Sequence, residues 1–191
     1  MGQPLVLDPG TYKYTAGKWR DYFRRTRAHS TATVDGVSQS EFYGAFRVGH
    51  MAHTRLCESQ IERLPHRIKA EHDGYRRLSD PVTHQRTVAW SGGSSFRISD
   101  TFLGREEHTV EITIHLSPCA IDDCGPEKFR ANYEDGTVLT VRVQGPSPGS
   151  FSVDQGWISE TWYEKIPTPV IVYKFMSALP QTVTMIYRIH T

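Results

Sequence analysis

The stretch His108-Thr109-Val110-Glu111-Ile112-Thr113-Ile114-His115-Leu116 decides the fold class. Val110, Ile112, Ile114 and Leu116 fall on one side of an extended chain, and Thr109, Glu111, Thr113 and His115 on the other. Successive side chains of a strand point to opposite faces, so this alternation predicts a β-strand with one packed face and one wet face. Working outward, similar stretches occupy residues 31–34 before Asp35-Gly36, 83–90 before Ser91-Gly92-Gly93, and 95–101. Others occupy 129–133, 138–143 just after Glu134-Asp135-Gly136, 170–175 and 182–189. Short strands with turn residues about every ten positions predict an all-β chain, an antiparallel sandwich or barrel, with about half of its residues in ladders. The Gly-, Pro- and Ser-rich stretch 144–152 reads as a loop between strands.

The 191 residues carry 38% hydrophobic and 23% charged side chains, enough apolar surface for one sizeable domain or two small ones. Lys and Arg number 22 against 21 Asp and Glu, a formal net charge of +1, which points to neither nucleic acid nor an anionic membrane as partner. No apolar run approaches the roughly 18–20 residues that cross a bilayer, and residues 1–10 lack the basic start and apolar centre of a signal peptide. Cys57, Cys119 and Cys124 make an odd count, and Cys119 and Cys124 are expected in a loop as free thiols.

Residues 12–29 are the most unusual stretch. Six basic residues, one acid and five aromatics lie between Tyr12 and His29. Arg20, Arg24, Arg25 and Arg27 suit forked contacts to carboxylates or sulfates, and Tyr14, Trp19 and Tyr22 offer flat faces for sugar rings. That combination fits an acidic polysaccharide. The competing reading is a solvated basic edge strand whose aromatics serve the core. His29 ends the stretch, and an imidazole there can accept or donate a proton or neutralise a carboxylate near neutral pH.

Metal-ligating patterns are weak. His50 and His53 would chelate only if the backbone bent to suit, and His72, His84 and Asp73 would have to converge across a hairpin. The expectation is no cofactor, with these three residues as the only candidates for a structural zinc. Phosphate-loop, nucleophile-elbow, HExxH and dinucleotide-binding patterns do not occur.

Several segments together resemble the C-terminal β-sandwich domain of heparinase II/III-like bacterial polysaccharide lyases. They are Asp8-Pro-Gly-Thr-Tyr12, the run from Trp19 to Gly36 followed by Gln39-Ser-Glu41, and Glu71-His-Asp-Gly-Tyr75 with Asp80-Pro-Val-Thr-His84. Further along come Ile98 to Gly104, Glu107 to Glu111, Gly156-Trp-Ile-Ser159 and Pro169 to Tyr173. The resemblance implies a two-sheet, supersandwich-like domain over residues 1–191 with few or no helices. It also implies β-elimination on uronic-acid polysaccharides in a cleft shared with an N-terminal α/α toroid.

In that family the His of the Arg-Thr-Arg-Ala-His-Ser-Thr pattern is catalytic, which implies His29 here. Arg25 and Arg27, then Arg20, Tyr22 and Trp19, become the expected substrate contacts. Some relatives hold a structural zinc whose ligand two positions after that His is Thr31 here, which argues against an intact metal site. The motif begins at residue 8, so the toroid, with the tyrosine and asparagine it carries, is expected outside this chain. The isolated domain is therefore expected to be inactive. The family context implies a periplasmic or secreted enzyme, with no export signal in this chain. The alternatives are a non-catalytic module that binds acidic glycans or another protein, and a purely structural sandwich.

Overall fold

The computed structural model describes residues 4–146 and 148–191. Its elements begin with helix α1 (Lys18–Arg24), a 3-10 turn (Thr26–Ala28) and strands β1 (Ala32–Val34), β2 (Phe42–Tyr43) and β3 (Arg47–Val48). Next come β4 (Thr54–Gln60), β5 (His66–Tyr75), β6 (Val82–Trp90), β7 (Ser95–Leu103), β8 (Glu107–His115) and β9 (Ala120–Cys124). The chain ends with β10 (Lys128–Asn132), β11 (Val138–Gln144), β12 (Gly149–Ile158), β13 (Ile166–Ala178) and β14 (Gln181–His190). Strand makes up 57% of the chain and helix 5%, so the all-β expectation holds. One sheet of eight strands runs β4-β5-β6-β7-β14-β11-β10-β9, a second of four runs β1-β8-β13-β12, and β2-β3 form a separate hairpin.

The two larger sheets form a sandwich. Val110, Ile112, Ile114 and Leu116 are buried in one core cluster with Phe102, Phe129, Leu139 and Met185. Phe102 and Phe175 meet edge to face at 6.1 Å, Phe129 and Phe151 at 5.4 Å, and the Tyr75 hydroxyl donates to the Ala32 carbonyl at 2.6 Å. Each fully buried aliphatic or aromatic side chain contributes about 1.5–3 kcal/mol relative to exposure.

The wet face expected on β8 is partly exposed at Thr109 and Glu111 but covered toward the strand's end. Thr113 is 2% exposed and His115 0%, because an irregular segment lies across them. Six strands had no sequence signal, the short β2 and β3 among them. β4 and β5 are rich in charged residues, and β9 occupies the loop expected between the cysteines, all three of which are nonetheless free thiols. β12 begins inside the expected loop 144–152, of which residue 147 lies outside the described residues. Gly149 is not a turn glycine there: it pairs with Phe175, and a Cβ would collide with the Tyr173 hydroxyl.

The chain crosses from the large sheet to the small one between β7 and β8, and a buried imidazole fastens this crossing. Asp80 Oδ2 accepts the backbone N–H groups of Arg105 at 2.8 Å and Glu106 at 3.0 Å. His108 Nε2 lies 3.0 Å from the same oxygen, and its Nδ1 lies 2.7 Å from Asp35 Oδ2. Both partners only accept, so both ring nitrogens carry protons. Burial works against that charge, but the bonds to Asp80 and Asp35 outweigh it and raise the His108 pKa. The backbone donors of Arg105 and Glu106, with His108, hold the Asp80 carboxyl down to about 2.

The sign of each contribution follows. His108 stabilises the fold fully below its unfolded value of about 6.5, and this is lost as pH rises through the elevated folded value. Asp80 stabilises it above the ordinary carboxylate range, and this is lost as pH falls toward 2. Melting temperatures measured between about pH 5 and 9 should decline on the alkaline side in the wild type. The His108→Gln protein should be less stable near pH 5 and lack that decline; an identical alkaline slope would show that another group causes it.

Candidate functional site

The segment from Pro4 to Thr31 lies on the outer face of the small sheet, held there by β8 and the residues that follow it. Leu7 N–H donates to the His115 carbonyl and Ser117 N–H to the Leu5 carbonyl, both at 3.0 Å. Thr113 Oγ1 donates toward the carbonyls of His29 and Thr31, His115 N–H donates to Ser30 Oγ at 3.0 Å, and His115 Nε2 meets the Arg27 carbonyl at 3.2 Å. The polar residues that alternate along β8 thus satisfy the backbone of the irregular segment. Burial lowers the His115 pKa.

The basic stretch within this segment is a helix and a turn, not the edge strand of the competing reading. Lys18–Arg24 follows Gly17 and contains no β-branched residue, and Trp19 and Phe23, four apart, lie on the same side of the helix. Phe23 is buried beside Tyr12, and Trp19 packs against Tyr12 and Trp157. The remaining faces diverge. Lys18, Asp21, Tyr22 and Arg25 wall a cleft of about 400 Å³ whose floor includes His115, Val170 and Val172 of the small sheet. Tyr22 Oη accepts the Trp157 N–H at 3.0 Å, and burial raises its phenol pKa.

Arg27 crosses this cleft to Asp154 at 2.7 Å and to Glu111 at 3.2 Å. Arg25 is exposed and lines both the cleft and the groove beside the β2-β3 hairpin. Arg20 turns to the hairpin instead, donating to the Ala45 carbonyl at 3.0 Å, and Arg24 donates to the carbonyls of Gly44, Ala45 and Arg47.

His29 is not in this cleft. Its side chain is 34% exposed and lines a separate hollow of about 190 Å³ with Arg24, Thr26 and Phe42. Nδ1 lies 2.7 Å from Asp8 Oδ2 and Nε2 lies 3.1 Å from the Phe23 carbonyl. The expected site residues are therefore split. Arg25, Arg27 and Tyr22 share the cleft, His29 faces another hollow, Arg20 braces the hairpin and Trp19 packs inward. Asp8 had no assigned role in the sequence, although Asp8-Pro-Gly is one of the matched motifs. His115 was read as a wet-face residue and went unnoticed for the same reason that β8 was misjudged.

The zinc candidates do not fit a metal. Gly74 N–H donates to His72 Nδ1 at 3.2 Å, so His72 Nε2 carries the proton it gives to His84 Nδ1 at 3.0 Å. His84 Nε2 in turn bonds Asp100 Oδ1 at 2.6 Å. Both lone pairs that a metal would need are engaged, and burial, then His84, pushes the His72 pKa down to about 4. Asp73 Oδ1 accepts the His53 N–H at 2.7 Å instead of meeting the pair. Asp100, opposed by burial, is held ionised by Arg86 at 2.7 and 3.0 Å and by His84. Among the described residues, no three ligating side chains, His50 and His53 included, gather around one point.

Gly156 belongs to another matched motif and sits under this cleft. A Cβ there would collide with the Val170 side chain and come within 3.2 Å of the Tyr22 hydroxyl. Gly156→Ala should cost about 1–3 kcal/mol through overpacking. It should also speed hydrogen exchange at the Trp157 N–H by displacing Tyr22. Unchanged melting and exchange would mean that the floor yields freely.

The family described as Heparinase II/III-like, C-terminal, matches residues 1–185. No curated protein sequence matches the chain. Among solved structures, the heparan sulfate lyase HepC from Pedobacter heparinus superposes with a TM-score of 0.82 at 18% identity, over 99% of this chain and 29% of that one. The Heparinase III-BT4657 gene product gives 0.80 at 20% identity, over 99% and 28%. A structure titled Heparinase III gives 0.77 at 17%, over 97% and 28%. This chain spans less than a third of the length of each, so the matched region is one part of a larger protein there. The antiparallel sandwich, its matched residues and these superpositions lead to one conclusion: the chain belongs to the heparinase II/III-like family of polysaccharide lyases and corresponds to its C-terminal domain.

Proposed function

We propose that this domain supplies one wall of a β-elimination site for an acidic, uronate-containing polysaccharide, completed by an N-terminal α/α toroid. The observation that carries the reading is the Asp8–His29 pair. The carboxylate at 2.7 Å holds Nδ1–H and sets the ring plane, leaving Nε2 on a single backbone carbonyl at 3.1 Å. Arrival of substrate exchanges that one bond for a bond to the sugar, while Asp8 keeps the ring aimed.

Elimination requires three things of the protein: the C5 carboxylate must be neutralised, the C5 proton removed and the departing oxygen protonated. When it carries a proton on each nitrogen, the His29 imidazole serves the first or third task. The base then belongs to the toroid. Arg25, exposed where cleft and groove meet, is the better placed cation for a carboxylate or sulfate, whereas Arg27 must leave Asp154 or Glu111 to help. Tyr22 has its acceptor side filled by Trp157 and keeps its proton to donate. Arg20 and Trp19 act on this surface by bracing it. The same reading puts the parent enzyme where such polymers occur, in the bacterial periplasm or outside the cell.

Joined to the toroid of a close relative, this chain should release unsaturated uronates, followed by their ultraviolet absorbance. His29→Ala should lower turnover by about 10²–10⁴, the usual contribution of a positioned acid or base. Asp8→Asn should lower it less, and Arg25→Ala should mainly raise KM. Undiminished turnover in the His29 variant would reject the assignment.

A further inference from the structure

We infer that the exposed aromatic ridge formed by Tyr14, Phe46, Trp162 and Tyr163 is a stacking platform for the sugar rings of an acidic polysaccharide, an extension of the face described above and dependent on that reading. The four rings come from three stretches far apart in sequence. Tyr14 lies 4.7 Å from Trp162 and 6.1 Å from Phe46, and Trp162 lies 6.4 Å from Tyr163. They are nevertheless 48%, 71%, 50% and 64% exposed for Tyr14, Phe46, Trp162 and Tyr163. A connected group of large rings left this open marks an interaction site.

The backbone beneath is built to hold them out. Tyr163 has φ 63, a left-handed conformation that a bulky residue adopts only when the surroundings impose it. The surroundings do so. Ser159 Oγ, buried at the base of this loop, bonds the carbonyls of Thr161 and Glu164, and the Tyr163 N–H donates to the Tyr12 carbonyl at 3.0 Å. The chain bears a conformational cost at the residue that presents the ring.

Charge selects the occupant. The Arg20 guanidinium lies over Tyr14 at 4.9 Å and over Phe46 at 5.9 Å, and Lys165 lies over Tyr12, Trp19 and Trp157 at 4.4–5.4 Å. One cation against two ridge rings and a second over the neighbouring packed rings suit a ligand that alternates apolar C–H faces with anionic groups, as a polyuronate does. A purely apolar protein surface would leave those cations desolvated and unpaired. The ridge and the cleft share α1, through Arg20 on one side and Lys18 and Tyr22 on the other, so one polymer chain can follow the helix between them.

The test is isothermal titration of the 191-residue chain with heparan sulfate. The Trp162→Ala/Tyr163→Ala double variant should keep its melting temperature, since both rings are exposed, and bind at least about tenfold more weakly, the size of one or two lost ring contacts. Tyr163→Gly, which suits a positive φ, should melt higher and still bind more weakly. If ridge variants bind as the wild type does while Arg25→Ala/Arg27→Ala does not, the platform is wrong and the polysaccharide-facing cleft stands. No binding by the wild type removes both. Self-association of the chain, or capture of a separately produced toroid, that the ridge variants abolish while leaving heparan sulfate affinity intact would reassign the rings to a protein interface and overturn the proposal.

Discussion

The candidate functional face of this domain depends on polar side chains of β8 that point away from the core. Thr113 and His115, with Ser117 just beyond, hold the carbonyls and amides of the segment between Pro4 and Thr31. An irregular segment has no ladder of its own, and buried backbone groups must find partners. Without those donors the helix, Asp8 and His29 would have no fixed position on the sheet. Each such bond contributes only about 1 kcal/mol net, but together they define where every candidate residue points.

Two of the histidines in contact with carboxylates, His84 and His108, are buried in the fold. His108 locks the crossing between sheets through Asp35 and Asp80. His72 and His84 form a directional chain to Asp100, whose charge Arg86 balances while also donating to the Ser30 carbonyl. That last bond ties the large sheet to the residue beside His29. Loss of either partner of Arg86–Asp100 would strand a buried charge, a change that typically costs about 3–5 kcal/mol. His29 differs from these: its own side chain is 34% exposed, against 2% and 6% for His84 and His108, and its other nitrogen rests on one carbonyl.

Superposition over nearly the whole chain accompanies an identity of only 17–20%. The positions that matter to the fold are those with no room or no alternative conformation, such as Gly156 under Tyr22, together with the buried faces of the strands. Surface residues on β4 and β5 are free of those constraints, which is also why their sequences carry so little strand pattern.

Alternation in residues 108–116, with turns at regular intervals, determined an antiparallel sandwich, because one buried face imposes a period of two on each strand. The segments around His29 and Gly156 likewise determined the family. The helix at Lys18–Arg24 was not legible: its six flanking and internal cations mask a two-residue apolar anchor, and a helix of seven residues is stable only by packing Trp19 and Phe23 onto the sandwich. Nor was the division of the arginines, since adjacent residues in a helix point about 100° apart and only the sheet below decides which side becomes a cleft. The sequence carries which side chains are available. Which of them share a cavity is decided by long-range hydrogen bonds between residues some 80 positions apart, such as Thr113 to His29, and no local pattern encodes those.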